Sequence, residues 1–146
     1  MGCTPNNPTG PAVHRDELET FLAAVPSDVL VVLDEAVLVF VREPAARDGL
    51  AGDAPHAAGG VLRQRGVHLV ADRTRHVEGL RDQGWSLPES QANFVWFDLG
   101  ERTAQRAEEA RAAGASVRPF AGEGLRVSVG EPEATDLFLR VSATWL

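Results

Sequence analysis

Lysine is missing from this chain altogether: all 14 basic residues among the 146 are arginine. The absence removes every side-chain amine that could condense with a carbonyl, because a guanidinium stays protonated at any working pH and cannot substitute. Cysteine is nearly as scarce. With Cys3 alone there is no internal disulfide and no thiolate cluster for zinc, and a reducing, cytoplasmic setting is expected. Long apolar runs are missing too, and the amino terminus lacks a basic n-region, so neither a membrane span nor a signal peptide is expected. Positive charge is in deficit. A net charge of -7 argues against DNA or RNA as a partner. No metal site is expected either: His68 and His76 lie eight positions apart without a His-Glu-x-x-His pattern, and each reads as a surface or packing residue. What remains is ordinary for one soluble globular domain, with 44% hydrophobic and 24% charged residues.

Two stretches organise the rest. Cys3-Thr4-Pro5-Asn6-Asn7-Pro8-Thr9-Gly10 is too dense in Pro, Asn and Gly to continue a strand or open a regular helix, and reads as a site wall. Val29-Leu30-Val31-Val32-Leu33 is short, apolar and β-branched, which suits a strand buried on both faces of a parallel sheet. Asp34 follows at its carboxyl end, where open α/β sheets bind ligands. Asn7 and Asp34 stand 27 positions apart (34 less 7), room for one helix and one strand of a right-handed crossover. Taken singly, Asn7 reads equally as a turn cap, Asp34 as the cap of the next element, and Cys3 as a small buried apolar residue.

In chain order, His14 to Ala24 places Leu18, Phe21, Leu22 and Val25 at helical spacing, stopped by Pro26. Val37 to Val41 is a further apolar run. From Arg42 to Gly60 the composition turns to Ala, Gly, Asp and Pro with no sustained period. Val61 to Gln83 restores helical patterning, with Leu62, Leu69, Val77 and Leu80 inward, Gly84 as a stop, and Arg63, Arg65, Arg73, Arg75 and Arg81 as a solvated face paired with Asp72, Glu78 and Asp82. Asn93 to Leu99 reads as a strand, Thr103 to Ala113 as a helix closed by Gly114, and Ala115 to Arg118 and Gly124 to Val129 as strands. Pro132 opens a last helix containing Leu137, Phe138 and Val141. Helix, strand, helix, strand, strand, helix fits a compact α+β unit. Arg126, on the Leu125/Val127/Val129 strand, reads from pattern alone as either a ligand-facing arginine or an exposed one paired with an acid.

PNNPTG followed at this spacing by Leu33-Asp34-Glu35-Ala36 resembles the fold-type I, class I/II aminotransferases dependent on pyridoxal phosphate (PLP), in particular the histidinol-phosphate and aromatic-amino-acid group. SQANFVWF, SVRPF and GLRVSVG resemble that family's small domain. The resemblance implies an α/β fold: a remnant of the large domain over residues 1–41, with a crossover and a parallel strand, a linker or deletion joint over 42–60, and an α+β small domain over 61–146. It implies that Asn7 hydrogen-bonds the cofactor's phenolic oxygen, with Asn7-Pro8 a candidate cis peptide, that Asp34 pairs with the pyridinium nitrogen, and that Ala36 packs near the ring. Arg126 would grip a substrate carboxylate in a planar bidentate contact. Val37 stands where the family usually has Tyr and cannot make its hydroxyl contact. The abrupt start at Met1-Gly2-Cys3 and the missing Ser-x-x-Lys segment imply a chain shortened at its amino terminus and deleted internally.

For a PLP enzyme the lack of lysine removes both the covalent anchor of the cofactor and the proton shuttle. The expectation is therefore a protein related by descent to enzymes of amino-acid biosynthesis that transaminate histidinol phosphate or an aromatic amino acid, inactive alone, with no catalytic residue of its own and weak or no PLP binding. An amino acid or keto acid is the implied substrate, and a homodimer or a complementing chain the implied partner. Half of a split enzyme and a non-catalytic small-domain interaction module are the alternatives. Residues 61–146 are expected to be more stable than the first block, because Val29 to Leu33 lacks strand neighbours.

Overall fold

The computed structural model describes residues 2–34, 40–42 and 59–146. Gly2–Cys3 (β1) and Leu33–Asp34 (β2) pair in parallel, Gly2 opposite Leu33 and Cys3 opposite Asp34, and Arg15–Ala24 (α1) lies between them in sequence. A parallel pair requires a crossover of this kind. The helix begins where the His14 N–H donates to Glu17 Oε2 at 2.8 Å, an acid in the first turn answering an orphan backbone donor. It ends at Val25, which is extended ahead of Pro26, as the steric demand of a following proline favours.

In the first half the apolar run is not buried on both faces, in keeping with the expected lack of strand neighbours. Strand pairing begins only at Leu33, and Val29, Leu30 and Val32 are 53%, 86% and 46% exposed. A both-faces-buried strand needs neighbours on each edge and cover on each face, and among the described residues only the two of β1 pair with it. On α1, Leu18 is buried but Phe21 and Leu22 are exposed for the same want of a covering layer. Glu35, Ala36 and most of the Val37 to Val41 run lie outside the described residues, as does most of the expected joint; Val41 itself is buried.

The second half is built from Gly59–Asp82 (α2), Phe94–Asp98 (β3), Thr103–Ala112 (α3), Arg118–Phe120 (β4), Gly124–Ser128 (β5) and Pro132–Ser142 (α4). The sheet order is β3-β5-β4, antiparallel throughout, with Trp96 and Arg118 both opposite Arg126. Alternation along the strands sends Val95, Phe97, Leu125 and Val127 to one face, where Leu80, Ala107, Ala110, Phe138, Val141 and Trp145 close the core. Phe97, Phe138 and Trp145 meet edge to face at 5.4–6.3 Å, and Trp85 adds edge contacts to Phe97 and Trp145, arrangements that aromatic quadrupoles favour. The other face carries Phe94 and Trp96, both buried, with Phe120 edge-on to Trp96 at 5.5 Å.

Helix ends fall where glycine was expected to place them. Gly84 and Trp85 donate back to Arg81 and Leu80 carbonyls, and Gly114 and Ala115 to Arg111 and Ala110. The last pairing explains a shift in β4, which spans Arg118–Phe120 rather than 115–118: the Ala115 N–H is committed to closing α3, so pairing with β5 starts later. A second correction concerns α2. Arg73 is buried rather than on the solvated face, because its guanidinium finds two backbone carbonyls, Phe40 O at 3.2 Å and Ala92 O at 2.8 Å. Arg75 reaches across to Asp136 on α4 instead of pairing along its own helix.

Candidate functional site

The Pro/Asn-rich loop is folded onto itself before it meets anything else. The Asn6 N–H donates to Pro11 O at 2.7 Å, Gly10 N–H to Asn6 O at 2.8 Å, and Asn6 Nδ2 to Thr9 Oγ1 at 2.5 Å. Thr4, fully buried, anchors its start by donating its N–H to Asp34 O at 2.9 Å and accepting the Val13 N–H on Oγ1 at 2.9 Å. The Thr4-Pro5 and Asn7-Pro8 peptide bonds are cis. Cys3 is half-buried, its Sγ 3.6 Å from Asn6 Oδ1.

This closed loop presents Asn7 to the second half of the chain. Arg126 Nη1 donates to Asn7 Oδ1 at 2.8 Å, across a separation of 119 residues. The guanidinium carbon of Arg126 lies 5.2 Å from the centre of the Phe94 ring, within cation–π range. Arg126 Nε is buried without a hydrogen-bond partner among the described residues. Burial, and then the like charge of Arg118, lower the Arg126 pKa, although a guanidinium remains cationic at any working pH.

Asp34 sits at the carboxyl end of β2 with its side chain exposed, tied to the loop through the Thr4 backbone. Asn7 and Arg126 are thus brought into contact, Asp34 is joined to the base of the same loop, and Ala36 lies outside the described residues. Arg118 was not singled out from sequence. It faces Arg126 across β4 and β5, its guanidinium carbon 5.7 Å from the Phe120 ring. The signal was available in the SVRPF and GLRVSVG stretches, but pairing them in register required the turn between them.

Other candidate chemistry is absent among the described residues. No group of three or more His, Cys, Asp or Glu side chains could hold a metal, and no helix is long and apolar enough to cross a membrane. His76 is buried with its ring 5.5 Å from that of Phe138, and neither ring nitrogen has a hydrogen-bond partner among the described residues. Two hollows on the surface, one at the end of α3 and one between α3 and α4, are lined by neither Asn7, Asp34 nor Arg126.

Comparison with known proteins bears on the same residues. A model of the family "Aminotransferase class I and II" matches residues 2–67. An aromatic amino acid aminotransferase of Streptomyces avermitilis is 42% identical over 194 residues, covering 96% of this chain and 54% of the relative. One from Thermobifida fusca is 37% identical over 199 residues, covering 98% and 55%. The chain spans about half the length of these curated relatives. The Streptomyces alignment is longer than the chain itself, so at least 48 of its positions (194 less 146) have no residue of this chain opposite them. Among solved structures, a histidinol-phosphate aminotransferase from Clostridium acetobutylicum superposes with a TM-score of 0.71 at 14% identity, covering all of this chain and 64% of that one. A decarboxylase from Sulfurospirillum multivorans gives 0.74 at 17%, covering 99% and 60%.

Proposed function

From the premise that this chain has the fold of the class I and II aminotransferases, we propose that its 146 residues form the carboxylate-gripping part of an aminotransferase-type site and do not complete transamination by themselves. One observation carries the reading: Asn7 and Arg126 meet at 2.8 Å in a chain that encodes no lysine. Arg126 is the grip for the carboxylate of an amino acid or keto acid, since its planar fork matches two carboxylate oxygens. Asn7, Asp34 and Ala36 are the residues that would face PLP.

The donor set does not fit a covalently held PLP. The cofactor's aldehyde needs a side-chain amine to condense with, and the chain, with 14 arginines, four histidines and no lysine, encodes none. Asn7 and Asp34 could at most hold the ring by hydrogen bond and charge, so binding is expected to be weak and reversible. The names of the Streptomyces and Thermobifida relatives favour an aromatic amino acid and its keto acid over histidinol phosphate as the substrate class.

The test is to incubate the purified chain with PLP, reduce with borohydride and map any modified residue by mass spectrometry, alongside an assay of amino-group exchange between phenylalanine and 2-oxoglutarate. Expected are no internal adduct and no turnover. An adduct away from the amino terminus, or turnover by the chain alone, would overturn the reading. A second reading, half of a split enzyme completed by a lysine-bearing chain, is favoured by the exposure of Val29, Leu30 and Val32. Recovery of exchange activity on adding such a chain would select it over an inactive homodimer or an interaction module.

A further inference from the structure

Asn7 and Arg126 belong to opposite ends of the chain, yet the supports of both converge on one short stretch. We propose that residues 90–94 are a positioning element: Ser90 and Gln91 seat the loop that carries Asn7, Phe94 supports Arg126, and the spacing of the pair is set by this stretch. The Gln91 N–H donates to Gly10 O at 2.9 Å. Gly10 has φ +99°, and a Cβ placed there would stand 2.4 Å from Ser90 Oγ, so loop and seat are in direct contact. Since the loop closes on itself through Asn6, Thr9, Gly10 and Pro11, moving Gly10 moves Asn7 with it.

The seat is itself fixed from three sides. Ser90 Oγ donates to Phe94 O at 2.6 Å, locking the turn that leads into β3. Gln91 Oε1 accepts the Arg42 N–H at 2.9 Å, and Arg73, from α2, donates to both Phe40 O and Ala92 O. Ser90, Gln91 and Ala92 are all buried, so these groups have little water to turn to if a partner is lost. Four residues after Ser90, the Phe94 ring lies under the Arg126 guanidinium. A shift in the seat therefore changes the Asn7–Arg126 distance without touching either residue.

The test reads the contact itself. In ¹⁵N-labelled protein the Asn7 side-chain amide pair is identified by its loss in Asn7→Ala, and Arg126→Gln should shift it. Gly10→Ala should carry the pair to the position seen in Arg126→Gln. Gln91→Ala should carry it part of the way, because it removes both the oxygen that accepts the Arg42 N–H and the amide that donates to Glu89 Oε1 at 3.3 Å. Lower melting temperatures in Gly10→Ala and Gln91→Ala with an unmoved Asn7 pair would mean a structural role only and overturn the proposal, as would an Asn7 pair indifferent to Arg126→Gln. If Gly10→Ala does not fold, Gln91→Ala decides. The inference rests on the reading above only for what the pair is for. No ligand enters the measurement, so a failure of the PLP and exchange tests and a failure here are told apart.

Discussion

Arg126 Nη1 lies 2.8 Å from Asn7 Oδ1, and this hydrogen bond links the amino-terminal loop to the central strand of the three-stranded sheet. It joins a charged donor to a neutral acceptor at the surface, so its worth is near the middle of the usual range for hydrogen bonds. A double-mutant cycle of Asn7→Ala and Arg126→Gln, read by urea denaturation, should give a coupling of about 1 kcal/mol. Strict additivity would show that the contact does not persist in solution.

Acid should weaken the fold through His76. Burial, and then the charge of Arg75, lower its pKa from 6.5 to about 4, so the folded chain keeps it neutral while the unfolded chain takes up a proton. With more protons bound in the unfolded state between those values, stability is full above about pH 6.5 and is lost as pH falls towards 4. At about 1.4 kcal/mol per pH unit, the loss between pH 7.5 and 5 is about 2 kcal/mol. Urea midpoints for wild type and His76→Leu at the two pH values should show this slope in the wild type and a flatter one in the variant.

Gly124→Ala should be severe. A Cβ there would stand 2.0 Å from Phe97 O and 2.7 Å from the Trp96 ring, and the first of these is backbone that cannot swing away. Separating β3 from β5 enough to relieve it disrupts the core, so a loss of more than about 2 kcal/mol is expected by thermal or urea unfolding. A change within about 0.5 kcal/mol would mean that the two strands sit further apart than described.

Two leucines should respond oppositely to truncation. Leu125 is fully buried and Leu30 is 86% exposed. Leu125→Ala should cost about 2–5 kcal/mol, and Leu30→Ala should stay within about 0.5. Hydrogen exchange should agree, with stronger protection at Val95 and Phe97 than over Val29 to Leu33; the reverse order would contradict the description of both segments.

The second half of the chain was largely legible because its signals are satisfied within reach. Leu125, Val127 and Val129 alternate against Arg126 and Ser128, and the core that answers this alternation is encoded nearby. Gly84 and Gly114 could be read as stops because the carbonyls they cap lie in the preceding turn. Val29 to Leu33 is the opposite case: its composition alone asks for cover on both faces, and only the missing family segment signalled that its strand neighbours are not encoded, as its exposure bears out. Arg73 misled because periodicity cannot foresee that Phe40 and Ala92 would offer carbonyls to a buried guanidinium. For the candidate site, Asn7 and Arg126 were each picked out from sequence, but their meeting was not. Nor was Arg118, since facing Arg126 depends on the register of β4 against β5.

All three tryptophans lie beyond residue 84: Trp85 and Trp145 against Phe97, and Trp96 against Phe120. Intrinsic emission excited at the red edge of indole absorption is therefore a private reporter of one sheet. A melt followed that way will trace the collapse of that sheet, and unfolding confined to α1, which holds no tryptophan, will pass with hardly a flicker in the signal.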